Sequence, residues 1–250
     1  MTTNEKALLL HEEWKGKLKT TSKAKVASRE DLALAYTPGV AEPCKVIAAD
    51  PEAAYRYTIK SNTIAVVSDG SAVLGLGNTR PPGAMPVMEG KAVLFKEFGG
   101  VNAFPICLDT QDTQEIIETV VRIAPAFGGI NLEDISAPRC FEIEEALKER
   151  LDIPVFHDDQ HGTAIVVLAG VINSLKLTGK KKEDCRVVVN GAGSAGIAIT
   201  KLLLTYGFAH ITMCDRSGIL SRGADDLNWM QEKMMDVTNL EHRTGTLADA

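Results

Sequence analysis

Residues 185–196, CRVVVNGAGSAG, set an apolar run directly against a glycine-rich turn, and the fold hinges on that junction. Arg186–Asn190 reads as a strand, and a helix opens near Ser194. Between them Gly191 permits the tight turn, Gly193 lets a phosphate approach the backbone, and Gly196 allows helix and strand to pack closely. The amides of Ser194 and Ala195, with the helix dipole behind them, then favour a pyrophosphate. Asp215 lies nineteen residues beyond Gly196 at the end of the next strand, where it can accept hydrogen bonds from both ribose hydroxyls. A carboxylate there repels a 2′-phosphate and favours NAD over NADP, although Arg216 follows at once and leaves NADP open. The bland alternative is a merely structural turn.

Upstream, GTAIVVLAGVINSLKLTG, residues 162–179, reads as a long apolar helix whose length and position suit a link between two domains. Before it, TIAVVSDG, NAFPICLD, GGINLEDI and IPVFHD read as strands. TQEIIETVVRIAPAFG, with Ile116, Ile117, Val120, Val121 and Ala124 on a helical period, and FEIEEALKER read as the helices between them. Strand alternating with helix predicts an α/β fold: an N-terminal domain with a mostly parallel sheet, residues 1–162, then a linking helix and a partial Rossmann-like dinucleotide-binding domain, residues 163–250. SAVLGLGN is expected to be a further strand, LALAYTPGVAEPC a shaped loop, VMEGKAVLFKEFG a helix from Val87, and DLNWMQEKMMD a late helix.

With 250 residues and 45% hydrophobic content the chain can bury a substantial core. A net charge of −6 gives no broad electrostatic case for nucleic acid. The first 25 residues are locally basic, with six lysines against three glutamates, and read as a solvated helix and loop. The amino terminus does not resemble a leader, and no apolar run approaches the roughly 18 residues that span a membrane. A soluble, cytoplasmic protein is expected. Its five cysteines are widely separated and lack metal-ligand spacing.

The most crowded polar stretch is FHDDQHGTA, residues 156–164. Glu133 and Asp134 end one strand segment, Asp158 and Asp159 another, and in a parallel sheet both sets lie at the carboxyl edge where such folds place their sites. Three carboxylates from these loops could hold Mg²⁺ or Mn²⁺; otherwise they are helix caps and solvated turns. Hard oxygen donors predominate, so His157 and His161 read as supporting groups and not as zinc ligands.

In order along the chain, AYTPGVAEPC, VLGLGN, PVMEGKAVLFKEFGG, AFPICLDT, INLEDISAPRCFEIE, FHDDQHGTA and GAGSAG resemble the malic enzyme family, its small bacterial branch in particular. These stretches cover nearly all of residues 30–220. The resemblance implies oxidative decarboxylation of L-malate to pyruvate and CO₂, with NAD or NADP and Mg²⁺ or Mn²⁺, in a homodimer. On that reading Glu133, Asp134 and Asp159 match the metal ligands, while Tyr36 and Lys91 match the catalytic acid and base. Asp158 sits beside a ligand and would orient it or a nearby charge. Without the resemblance, Tyr36 is a packed aromatic beside a turn and Lys91 a solvated helix residue.

The implied chemistry makes demands on these residues. Neutral Lys91 removes the C2 hydroxyl proton of malate as hydride leaves C2, which requires a pKa below the ordinary value near 10.4. Burial and an adjacent cation favour that shift, and nearby carboxylates oppose it. Oxaloacetate then loses its C4 carboxylate, and Tyr36 protonates C3. Tyr36 is expected to act across the homodimer interface.

Two departures stand out. VLGLGNTRPPGAMPV differs from the family pattern GNxGPxAGxPV, placing Thr79, Arg80, Pro81 and Pro82 in a stiff, charged turn. Arg80 either faces solvent there or meets a substrate carboxylate. Residues 180–250 supply only the opening of a dinucleotide-binding domain, and the asparagines that contact nicotinamide in the family come later, so a shortened form is expected. That keeps three alternatives open: a metal-dependent oxaloacetate decarboxylase with weak redox turnover, a malolactic reaction, or a noncatalytic NAD- or malate-binding subunit.

Overall fold

The structure, a computed structural model, describes residues 1–224 and 227–250. Asp226, the first residue of the stretch DLNWMQEKMMD, lies outside the described residues. Four parallel strands, β1 (Thr63–Ser68), β2 (Asn102–Cys107), β3 (Gly129–Leu132) and β4 (Val155–His157), form one sheet in the order β2-β1-β3-β4.

Alternation along β1 divides the core into two faces. Ala65 and Val67 join Ile116, Ile117 and Val120 of α6 (Thr113–Ile123) and Phe141, Ile143 and Leu147 of α7 (Arg139–Arg150). Val66 instead joins Ala84, Met88 and Ala92 of α5 (Arg80–Gly99). Burying a side chain such as Phe141, Met88 or Leu147 contributes about 1.5–3 kcal/mol each, so the helices on both faces are held to the sheet by the core they share with it.

The second sheet has β5 (Arg186–Asn190) parallel to β6 (His210–Asp215), joined through α9 (Ser194–Tyr206), with β7 (Gly218–Ile219) antiparallel on β6. Its residues Ile197 and Met213, with Met230 and Met234 of α10 (Trp229–Met234), belong to the same apolar cluster as Phe141 and Leu147. The two halves therefore share core.

Between them α8 spans Asp158–Thr178 and packs on α9. It starts at Asp158 and not at Gly162, because the two aspartates form a favourable acidic first turn. At 21 residues and a mean hydropathy of 1.3 it is long and apolar enough to cross a membrane by length and composition, contrary to the sequence expectation. Its packing on α9 and its acidic first turn are those of a linking helix within the fold.

Other expectations are corrected as well. LALAYTPGVAEPC is a loop only over residues 36–40: it runs from the end of α2 (Arg29–Ala35) into the start of α3 (Ala41–Ala49), after α1 (Thr3–Trp14) and before the short α4 (Ala54–Tyr57). SAVLGLGN is no strand; only Val73 and Gly77 pair, and Gly75 and Gly77 curl the chain with φ of 76° and 75°. Helix α5 begins seven residues before Val87, at Arg80, because prolines suit a first helical turn.

Candidate metal and dinucleotide site

Glu133, Asp134, Asp158 and Asp159 all sit at the carboxyl edge of the four-stranded sheet. Glu133 follows β3, and its N–H donates to Val67 O at 2.9 Å, which extends the ladder to the site itself. Asp134 turns the chain with a left-handed φ of 53°, and its N–H donates to Asp159 Oδ2 at 3.1 Å. Asp159 lies in the first turn of α8. Glu133, Asp134 and Asp159 thereby offer carboxylate oxygens within 4.8 Å of one another.

Burial pushes Glu133 up to about 7 and Asp134 up to about 6, with the Asp159 charge adding to both. Lys91 and the Asn131 amide, which donates to Glu133 Oε2 at 2.8 Å, work against that rise. Asp134 Oδ2 is buried with no hydrogen-bond partner among the described residues. Crowded, desolvated carboxylates with an orphaned oxygen fit a hard divalent cation such as Mg²⁺ or Mn²⁺, whose charge would stabilise their ionised forms.

Lys91, on α5, places Nζ 2.6 Å from Asp158 Oδ2 and 3.1 Å from Glu133 Oε1. Burial pulls its pKa down, but the hydrogen bond from Nζ to Asp158 and the Glu133 charge outweigh burial, so the net direction is up. The depressed pKa expected from the sequence is not found; the opposing carboxylates win. Asp158 is the partner of the lysine and not a member of the ligand cluster.

Tyr36 ends α2 and is 67% exposed. No hydrogen bond joins it to the Lys91 cluster among the described residues. His161 reaches Glu144 at 2.7 Å, whereas His157 is fully buried, 4.0 Å from Asp159, with neither ring nitrogen bonded to a described residue. Burial lowers the His157 pKa. Neither imidazole is hydrogen-bonded to Glu133, Asp134 or Asp159 among the described residues.

Sequence reasoning missed Asp69 and Arg139. Asp69 is completely buried after β1, and Arg139 Nη2 donates to its Oδ2 at 2.8 Å. The turn Asp69-Gly70-Ser71 at a strand end was the available signal.

At the glycine turn, Gly191 has a φ of 128°, and a Cβ at Gly196 would lie 1.7 Å from Gly191 O. Only glycine lets α9 approach β5 this closely. Nothing lies within 4 Å of where a Gly193 Cβ would stand, which leaves the N-terminus of α9 open beside Ser194 and Ala195. That cradle fits a pyrophosphate. Asp215 ends β6, and its Oδ1 accepts the Ser217 N–H at 2.7 Å.

Comparison with known proteins identifies the family. The family model "Malic enzyme, N-terminal domain" matches residues 15–116 and 110–148, and "Malic enzyme, NAD binding domain" matches residues 160–248. The chain is 62% identical over 234 residues to the NAD-dependent malic enzyme of Geobacillus stearothermophilus, covering 94% of this chain and 49% of that protein. It is 56% identical over 250 residues to the bifunctional malic/malolactic enzyme of Bacillus subtilis, covering 61% of it. The crystal structure of NAD-dependent malic enzyme from Thermotoga maritima superposes with a TM-score of 0.94 at 52% identity, covering 96% of this chain and 64% of that one. The chain thus spans about half to two-thirds of the length of these relatives. On these matches and this geometry, the chain belongs to the malic enzyme family.

Proposed function

We propose that this chain carries the metal- and substrate-binding half, and the opening of the NAD or NADP site, of an enzyme that oxidatively decarboxylates L-malate to pyruvate and CO₂. The observation that supports this most is the convergence of Glu133, Asp134 and Asp159 beside the Lys91–Asp158 pair. When bound, Mg²⁺ or Mn²⁺ supplies Lewis-acid polarisation of the substrate oxygens and the nicotinamide accepts hydride.

The residues of the chain do the rest. Residues 1–162 hold the acid/base groups, and residues 163–250 most of the linking helix and the cofactor turn. Asp158 fixes Lys91 Nζ in one position, and a divalent cation held by the neighbouring carboxylates would offset the negative charge that raises the Lys91 pKa, so that Lys91 could take the C2 hydroxyl proton. After loss of the C4 carboxylate, Tyr36 protonates C3 of enolpyruvate. Tyr36 comes from the second copy of a homodimer, in keeping with its exposure in a single chain. Five free thiols suit a reducing compartment such as the cytoplasm.

Purified protein incubated with L-malate, Mn²⁺ and either NAD or NADP should release reduced cofactor and pyruvate in equal amounts. Lys91→Ala should lower malate oxidation by about 10²- to 10⁴-fold, and Tyr36→Phe should lower pyruvate formation by a similar factor. Unimpaired pyruvate release by Tyr36→Phe removes that assignment. Because Lys91 and the carboxylates all lie within residues 91–159, a second reading is decarboxylation of oxaloacetate alone. It is favoured if pyruvate forms from supplied oxaloacetate and not from malate.

A further inference from the structure

Asp69, 0% exposed, organises the loop that leaves β1. Its Oδ1 accepts from the Ser71 N–H at 3.0 Å and from the Ser71 hydroxyl at 2.6 Å, while Oδ2 accepts from Arg139. Arg139 also donates to Ser71 Oγ and Ser136 Oγ, each at 3.0 Å, and through Nη1 to Gln111 O at 2.7 Å. One guanidinium therefore ties together the loops that follow β1, β2 and β3. Nη2 shares its two hydrogens among three oxygens while Nη1 reaches a fourth, an arrangement set by the planar guanidinium that an ammonium on a flexible stem does not reproduce.

The tie reaches the carboxylate cluster through two short links. The Ser136 N–H donates to Ser71 Oγ at 2.9 Å, and the Ala72 N–H donates to Asp134 O at 2.9 Å. Asp134 between them holds a left-handed φ of 53°, which aspartate tolerates better than most non-glycine residues, and the two links fix the loop on either side of it. Neither Asp69 nor Arg139 belongs to the cluster of Glu133, Asp134 and Asp159.

We propose that Asp69 and Arg139 are a positioning pair that sets the divalent-cation affinity of the carboxylate cluster by fixing the loop of Glu133–Ser136. The inference rests on the metal reading given above. Groups that orient metal ligands from behind typically change affinity by about 10- to 100-fold when altered.

The test is titration of Mn²⁺ into the purified protein without substrate, following free and bound Mn²⁺ by electron paramagnetic resonance. Arg139→Lys keeps the charge on Asp69 compensated but loses the fork, and should weaken Mn²⁺ binding by about 10- to 100-fold. The linewidth of the bound Mn²⁺ signal should change with it, which a loss of fold stability alone would not produce. Ser71→Ala removes the oxygen linking Arg139 to the Ser136 N–H without stranding a charge, and should weaken binding in the same direction. Arg122→Lys, on an exposed ion pair of α6, should bind like the parent. Thermal melting in EDTA shows whether each variant is folded. Folded Arg139→Lys and Ser71→Ala proteins with parental affinity and spectrum would overturn the proposal. A parent that binds no Mn²⁺ would overturn the metal reading and this inference with it, and the parent titration separates that failure from the first.

Discussion

Arg80 has a φ of 61° and occupies the position that the pattern GNxGPxAGxPV gives to glycine. A Cβ in the left-handed region costs roughly 1–2 kcal/mol, and arginine lacks the short polar side chain that lets Asp134 tolerate it. Its backbone is also pinned: a Cβ on Gly70 would lie 2.6 Å from Arg80 O, and Thr79 N–H donates to Gly70 O at 3.0 Å. Arg80→Gly should therefore stabilise the protein by about 0.5–1 kcal/mol, once the roughly 0.5–1 kcal/mol entropy of an added glycine is deducted. Arg80→Ala, which keeps the Cβ, should show no such gain. Urea denaturation midpoints of the two variants decide it. At this scale the ligand types were legible, since Glu133, Asp134 and Asp159 declare hard oxygen donors at strand ends. The Lys91 partnership with Asp158 was only half legible, because its geometry depends on how α5 and α8 meet.

Elements were readable where a physical pattern was strong. Four apolar runs became β1–β4, and the spacing of Ile116, Ile117 and Val120 became the buried face of α6. Helix α2 was missed although Ser28 and Asp31 form a capping box, because the prolines and glycine that follow drew attention to a loop. Alternation alone misread SAVLGLGN, which has no neighbouring strand to pair with. Helices α7 and α8 are joined by Glu144, nearly buried, which meets His161 at 2.7 Å and Lys148 at 2.8 Å. Burial pushes the Glu144 pKa up, but hydrogen bonds from His161 and Lys148 outweigh it and hold the carboxyl below its ordinary 4.5. Its contribution is fully present above that value and is lost as pH falls through the lower folded-state pKa. The melting temperature of Glu144→Gln should thus lie below that of the parent at pH 7, with the gap closing as the solution is acidified below pH 4.5.

For the whole molecule, the first fifty residues pose the question of what covers them. Helices α1, α2 and α3 contain no buried residue, and Leu32, Leu34, Tyr36 and Val46 are exposed. A second copy is the proposed cover. Sedimentation equilibrium should return twice the 26.9 kDa of one chain. If Tyr36 and Lys91 of one site come from different copies, mixing equal amounts of inactive Tyr36→Phe and Lys91→Ala proteins should restore about a quarter of parental activity, since half the dimers are hybrids with one intact site. No recovery after exchange of subunits would mean that each copy uses its own tyrosine. None of this assembly was readable from periodicity, because an apolar face that meets a neighbour and one that meets its own core look alike in sequence.

Helix α8 also joins the two sites. Its first turn carries Asp158 and Asp159, and over roughly 30 Å of unbroken helix it runs on to pack against α9, whose own first turn closes the glycine cradle. Asp158, which holds Lys91, and Asp159, which accepts from the Asp134 N–H, therefore stand on the same element that α9 packs against. The carboxylate cluster and the glycine turn thus share one continuous scaffold, and a substitution that loosens the α8–α9 contact should be felt at both.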